Sequence, residues 1–98
     1  MQAVLVMQEY YPLSEVEAAE LVIWRLPAPM PGSVHLYKYR LVLVFGGKCV
    51  LRFDNERGKG DHMHLGRREY PIAFSTTDRL IDDFWNEVHK WREKHRTS

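Results

Sequence analysis

Two apolar stretches flank a pair of glycines: Tyr37–Phe45 and Cys49–Asp54, around Gly46 and Gly47. No other feature constrains the fold of this chain as tightly. Adjacent glycines supply the positive φ that a tight hairpin turn needs, and branched and aromatic flanks suit strands. Alternate residues of a strand share a face. Tyr37, Tyr39, Leu41, Leu43 and Phe45 form one such set, and Cys49, Leu51 and Phe53 form another. A two-residue loop sets Lys48, Val50 and Arg52 against the first set. A three-residue loop, Gly46 to Lys48, sets Cys49, Leu51 and Phe53 there instead. Burial of one face favours the second arrangement, a bulged three-residue loop. The opposite face then carries Arg40, Val42, Val44, Val50 and Arg52. Its valines are a candidate surface for a homodimer or a protein partner.

The flanking sequence supplies further elements. Ala3–Tyr10 reads as a strand ended by Pro12, Ser14–Glu17 as a turn, and Ala19–Leu26 as a second strand. Pro27, Pro29, Pro31 and Gly32 then break regular structure, because proline lacks an N–H and pushes its predecessor to extended geometry. A stiff exposed loop is expected there. Towards the C-terminus, Ser75 with Asp78 reads as a capping box. Leu80, Phe84 and Val88 recur at helical spacing, with Ile81, Trp85 and Trp91 beside them as core aromatics and aliphatics. Asp78, Asp82 and Asp83 come early and Lys90, Arg92, Lys94 and Arg96 late, which suits the helix dipole. The expectation is an α+β fold: a four-stranded antiparallel β-meander, a loop, and a C-terminal amphipathic helix packed on the face of Leu41, Leu43, Leu51 and Phe53. At 98 residues the chain is read as one domain, 1–98.

Charge is unevenly spread. Residues 1–36 hold Arg25 against Glu9, Glu15, Glu17 and Glu20, a net charge of −3. Residues 37–68 hold eight Lys and Arg against Asp54, Glu56 and Asp61, a net charge of +5. A local basic field fits a phosphate-bearing partner better than a membrane or a cationic small molecule. Cys49 is the only cysteine, so no internal disulfide forms and a reducing cytoplasm is permitted. It lies in an apolar strand and reads as core filler. The apolar start Met1–Met7 lacks the basic residues of a signal peptide and is interrupted by Gln8 and Glu9. No run approaches the roughly 20 apolar residues that span a bilayer.

After Phe53 the composition changes. Asp54, Asn55, Glu56, Arg57, Lys59, Asp61, His62 and His64 follow, spaced by Gly58 and Gly60. The stretch is read as a functional loop. Two histidines at i and i+2 point the same way if the chain there is extended. These groups suit metal-independent RNA cleavage, which needs a base for the 2′-hydroxyl, an acid for the leaving 5′-oxygen and cations for the phosphate. His62 and His64 divide the acid and base roles, since imidazole titrates near neutrality. Arg57 and Lys59 hold phosphate, and Gly58 and Gly60 allow close backbone approach. Asp61 or Asp54 orients one imidazole. Tyr37, Tyr39, Lys38 and Arg40 offer base stacking and phosphate steering, with Arg67 adding to the basic surface.

Two other readings compete. His62 and His64 with Asp61 or Asp54 have the donor types of a divalent-metal site. Arg57 and Lys59 oppose a cation there, no second His or Cys cluster completes a structural zinc site, and no cofactor is assigned. Alternatively, Asp54–Asn55 forms an Asx-type turn, with solvated histidines. His35 is a weaker site candidate beside the proline loop, and His89 and His95 read as solvated helix residues.

Several stretches, taken in order, resemble the TumE family. They are Ile23–Pro27 through Pro31–Ser33, then Tyr37–Leu41, then Asp54–His64, and last the helix with Phe84 and Trp85. The family pattern has Gly-Gly shortly after the second histidine, where this chain has Gly66 and Arg67. The resemblance implies a cytoplasmic toxin of a prokaryotic toxin–antitoxin pair. It also implies a cognate antitoxin partner, of a DNA-binding helix-turn-helix type. Joined to the residue chemistry, it gives a toxin that cleaves RNA. The alternative of another class is a non-catalytic inhibitor that occupies RNA or the ribosome through Arg40, Arg57, Lys59, Arg67 and Arg68.

Overall fold

A computed structural model of the protein describes residues 2–95. Arg96, counted above in the last helical turn, and Met1 lie outside the described residues. The chain forms six strands and a helix. The strands are β1 (Val4–Pro12), β2 (Glu17–Arg25), β3 (Tyr37–Phe45), β4 (Lys48–Glu56), β5 (Gly60–Leu65) and β6 (Arg68–Pro71), and the helix is α1 (Thr77–Lys94). Every strand pairs antiparallel with its chain neighbour, in the order β1-β2-β3-β4-β5-β6.

The expected four-stranded meander is therefore two strands short. The segment read as a loop is the end of β4, a turn and β5, followed by a short β6. Its Gly content and polarity hide the strands. One side of β5 carries histidines, while Met63 and Leu65 pack against the core.

Glycines 46 and 47 have φ of +58° and +79°, so the β3–β4 turn holds two residues rather than three. Phe45 pairs with Lys48 and Val44 with Cys49, but Leu43 pairs with Leu51. Val50 is thus the extra residue of a bulge one step inside the strand. The bulge restores the expected facing of Leu41 and Leu43 against Phe53 and Leu51. It also overturns two expectations. Cys49 is exposed rather than core, and Val50 packs against the core instead of lying beside Val42 and Val44.

The helix covers the face bearing Ala19, Leu21, Ile23, Leu41, Leu43, Leu51 and Phe53, and inserts Leu80, Phe84 and Val88. The Phe84 ring meets Phe53 edge to face at 5.5 Å. The cap is Thr76, whose hydroxyl accepts from the Arg79 N–H at 3.1 Å, one residue past the expected Ser75–Asp78 box. At the C-terminus, His95 is exposed yet lies flat on Trp91 at 4.0 Å. Near that end Arg92 donates to the buried Glu17 carboxylate at 2.9 Å, tying α1 to the start of β2. Arg92→Ala leaves that carboxylate without its donor. The expected loss is about 1–2 kcal/mol, because Arg92 itself is partly solvated. Urea denaturation measures it, and an unchanged midpoint would remove this tie from the account.

Candidate functional site

Strand alternation divides the β4–β5 hairpin between two faces. Phe53, Asn55, Asp61, Met63 and Leu65 turn towards α1, whereas Arg52, Asp54, His62 and His64 turn to the open face of the sheet. Register then aligns the open side chains in rows. Val22, Arg40, Asp54 and His62 follow one another across β2 to β5. Glu20, Val42, Arg52, His64 and Glu69 form the adjacent row from β2 to β6.

On that face the imidazoles of His62 and His64 stand 6.5 Å apart, centroid to centroid. Asp54 is 9% exposed and holds two neighbours. Its Oδ2 lies 3.0 Å from Arg52 Nε, and its Oδ1 lies 3.3 Å from His64 Nε2. Arg52 Nε and Asp54 Oδ1 lack the alignment of hydrogen bonds, so these contacts are electrostatic. One Glu69 oxygen lies 3.8 Å from His62 Nε2 and 3.9 Å from His64 Nε2. The pair thus already shares one anionic oxygen, supplied by a carboxylate that is 45% exposed at its side chain and has no other ion pair or hydrogen bond among the described residues. Two adjacent half-buried imidazoles, one backed by a carboxylate, can hold an anion and move protons at two points.

The opposite face carries a different constellation. Asp61 Oδ1 accepts from the Tyr39 hydroxyl at 2.6 Å and from His35 Nε2 at 2.9 Å. The His35 Nδ1 accepts the Tyr37 N–H at 3.1 Å, so the proton of the neutral ring sits on Nε2 and points at Asp61. Phe74 stacks on this imidazole at 3.9 Å. Burial, and then the hydrogen bond to Asp61, push the Tyr39 hydroxyl far above its ordinary pKa, so it remains a donor. Beside it, Asn55 is 2% exposed. Its Oδ1 accepts from Tyr39 N–H at 3.0 Å and its Nδ2 donates to the Tyr37 carbonyl at 2.6 Å. Backbone pairing of β3 with β4 stops at Arg40 and Asp54, and the Asn55 amide takes over beyond that point. The proline loop then docks on the hairpin tip, where the Gly58 N–H donates to the Pro31 carbonyl at 2.7 Å. A Cβ on Gly32, whose φ is +85°, would approach Gly58 Cα to 3.0 Å. Both the conformation and the close approach require glycine there.

The sequence profile described as Toxin TumE matches residues 6–92, from β1 into the last turns of α1. The chain belongs to the TumE toxin family. Membership makes it a toxin of the toxin–antitoxin kind and implies an antitoxin partner. No curated protein and no solved structure gives a significant match. Among the described residues no helix is long and apolar enough to cross a membrane.

In this TumE toxin the run Asp54–His64 does two jobs on two faces. Asp54, His62 and His64 share the open face. Asp61 does not reach them; it joins Tyr39 and holds the imidazole of His35 instead, while Asp54 is the aspartate beside the His62–His64 pair. Tyr39 is buried at 2% exposure and presents no ring for stacking. Arg57 and Lys59 occupy the tip of the β4–β5 hairpin, and Lys59 lies 3.7 Å from Glu56. Arg67 stands at the far end of β5, in the turn to β6. Those ends are separated by the six residues of β5, about 17 Å of strand. Lys38 and Arg40 lie on the open face beside Asp54. Sequence reasoning missed Glu69, Glu20 and Trp24. It had placed Arg52 on the open face without giving it a role in the site. Counting alternate residues outwards from His64 through register points to Arg52 and Glu69. Among the described residues no group of three or more His, Cys, Asp or Glu is placed to hold a metal ion.

Proposed function

We propose that this toxin is a small cytoplasmic domain that cleaves RNA without a metal and is neutralised by its antitoxin. The observation that carries the reading is the pair His62 and His64, side by side on the open face with Asp54 behind His64 and Arg40 and Arg52 beside it. In the proposed reaction His64 takes the proton of a 2′-hydroxyl, and Asp54 stabilises the imidazolium that results. The 2′-oxygen attacks the adjacent phosphorus and the bond to the 5′-oxygen breaks. His62 gives its proton to that leaving oxygen, so the products are a 2′,3′-cyclic phosphate and a 5′-hydroxyl. Phosphate oxygens take the position that Glu69 occupies between the rings, and Arg40 and Arg52 offset the charge that develops. Glu69 swings outwards, as its exposure allows.

The test is purified protein on end-labelled total RNA, wild type against His62→Ala/His64→Ala, each with and without EDTA. Wild-type cleavage that resists EDTA and leaves cyclic phosphate ends is expected. The double variant should lose at least about 100-fold in rate, with its thermal transition unchanged. Cleavage abolished by EDTA would overturn the metal-free mechanism. Intact RNA in every lane, from protein that still arrests growth, would favour inhibition by occupancy through the surface cations.

A further inference from the structure

Next to the imidazole pair the open face sinks into a concavity of about 330 Å³, lined by Glu20, Val22, Trp24, Lys38, Arg40 and Asp54. We propose that this concavity is a nucleobase subsite selective for guanine, with the base against Trp24 and its donor edge on Glu20. The proposal rests on the reading of the imidazole pair as an RNA site and names which nucleotide that site takes.

Register fixes where the subsite lies. Val22, Arg40, Asp54 and His62 occupy successive strands, so the floor at Val22 is three strand spacings, about 14 Å, from His62. A nucleotide whose own phosphate rests on Lys38 and Arg40, one step along the RNA from the phosphate at the imidazoles, places its base there. The walls have the matching chemistry. Trp24 is 38% exposed although it sits within a strand, and Val22 continues its apolar surface. An indole open to solvent beside a cleft is a stacking platform for a base. Lys38 and Arg40 are exposed, and neither makes an ion pair among the described residues, which leaves both for phosphate.

Selectivity comes from Glu20. It is half-buried, and no hydrogen bond or ion pair engages its carboxylate among the described residues. A partly desolvated carboxylate without a donor is an unfilled acceptor. Asp54 is engaged by Arg52 and His64, and Glu56 by Lys59, so Glu20 is the carboxylate left for a ligand. Val22 lies between Glu20 and Trp24, about 7 Å from each along the strand. A base over Val22 therefore has its face near the indole and one edge at the carboxylate. Guanine alone presents two adjacent N–H donors on its pairing edge, which a carboxylate accepts in parallel. Adenine, cytosine and uracil each set an acceptor beside their single donor position, and that acceptor would face the second oxygen.

The test is binding rather than turnover. 3′-GMP, 3′-AMP, 3′-CMP and 3′-UMP are titrated into the full chain by calorimetry, with the Trp24 indole N–H followed by NMR. The expected result is 3′-GMP bound about tenfold or more tighter than the others, with a shift of the Trp24 signal. Glu20→Gln should erase the preference, because the amide puts a donor against one guanine N–H. Trp24→Ala should weaken all four about tenfold. His62→Ala/His64→Ala should keep the preference, which separates this subsite from the chemistry. Equal binding of the four nucleotides, a preference that survives Glu20→Gln, or no binding would overturn the proposal. A guanine preference in a protein that cleaves nothing leaves the subsite standing and removes the ribonuclease.

Discussion

Asp61→Ala should cost this protein about 2–5 kcal/mol of stability, whereas His62→Ala, one residue further on, should leave it nearly unchanged. The two side chains leave β5 on opposite faces. Asp61 accepts from both the Tyr39 hydroxyl and the His35 ring, and Tyr39 is 2% exposed. Truncation strands two desolvated donors at about 1–3 kcal/mol each. It also frees the proline loop that His35 anchors. Against a total of about 5–15 kcal/mol for a domain of this kind, that is a severe loss. His62 spans only a loose contact with Glu69 at 3.8 Å, and its removal takes little from the fold. Urea unfolding of the two variants decides the matter. A stable, inactive Asp61→Ala protein would return Asp61 to the chemistry and contradict the division of faces.

Phe84→Ala should be at least as damaging. The ring is fully buried at the centre of the α1 interface, edge-on to Phe53. Deleting a buried phenyl ring costs about 3–5 kcal/mol in lost transfer energy and cavity. In a domain near this size that lowers Tm by roughly 4–8 °C for each kcal/mol. Phe84→Leu, which keeps most of the volume, should lose less than half as much. Calorimetry of both variants reads the difference. Equal and small losses would mean that the helix is not seated as described.

How far the sequence disclosed this depends on which side chains signal which element. The β3–β4 hairpin and the stripe Leu80, Phe84, Val88 were legible, since their periods of two and of three to four are carried by large apolar residues. The bulge was not, because a three-residue loop and a two-residue loop with an extra Val50 put Leu51 and Phe53 on the same side. Cys49 is where the two differ, and there the expectation failed. β5 was hidden by its own alternation: Asp61, Met63 and Leu65 face α1 while His62 and His64 face solvent, so average polarity reads as loop. Grouping Asp61 with the histidines followed from that. Parity along an assumed strand separates them, as it separates Asn55 from Asp54. Nothing local in the chain shows that Asn55 substitutes for a missing rung between β3 and β4, or that His35 folds back 26 residues' distance onto Asp61. Both depend on where the proline loop lands.

The division of β5 between two faces also guards its register against β4. A slip of one residue against β4 would turn every β5 side chain over. His62 and His64 would then face α1, and Asp61 would stand in solvent with Tyr39 and His35 unpartnered behind it. The penalty for that error falls on the buried side, while the imidazole pair is displayed on the other. The Asp61 hydrogen bonds therefore act as a key for the strand, admitting only the pairing that exposes the histidines. On the proposed reading a copy that mispairs lacks the imidazole pair on its open face, and a chain still being synthesised has no Asp54, His62 and His64 cluster until β5 has paired with β4.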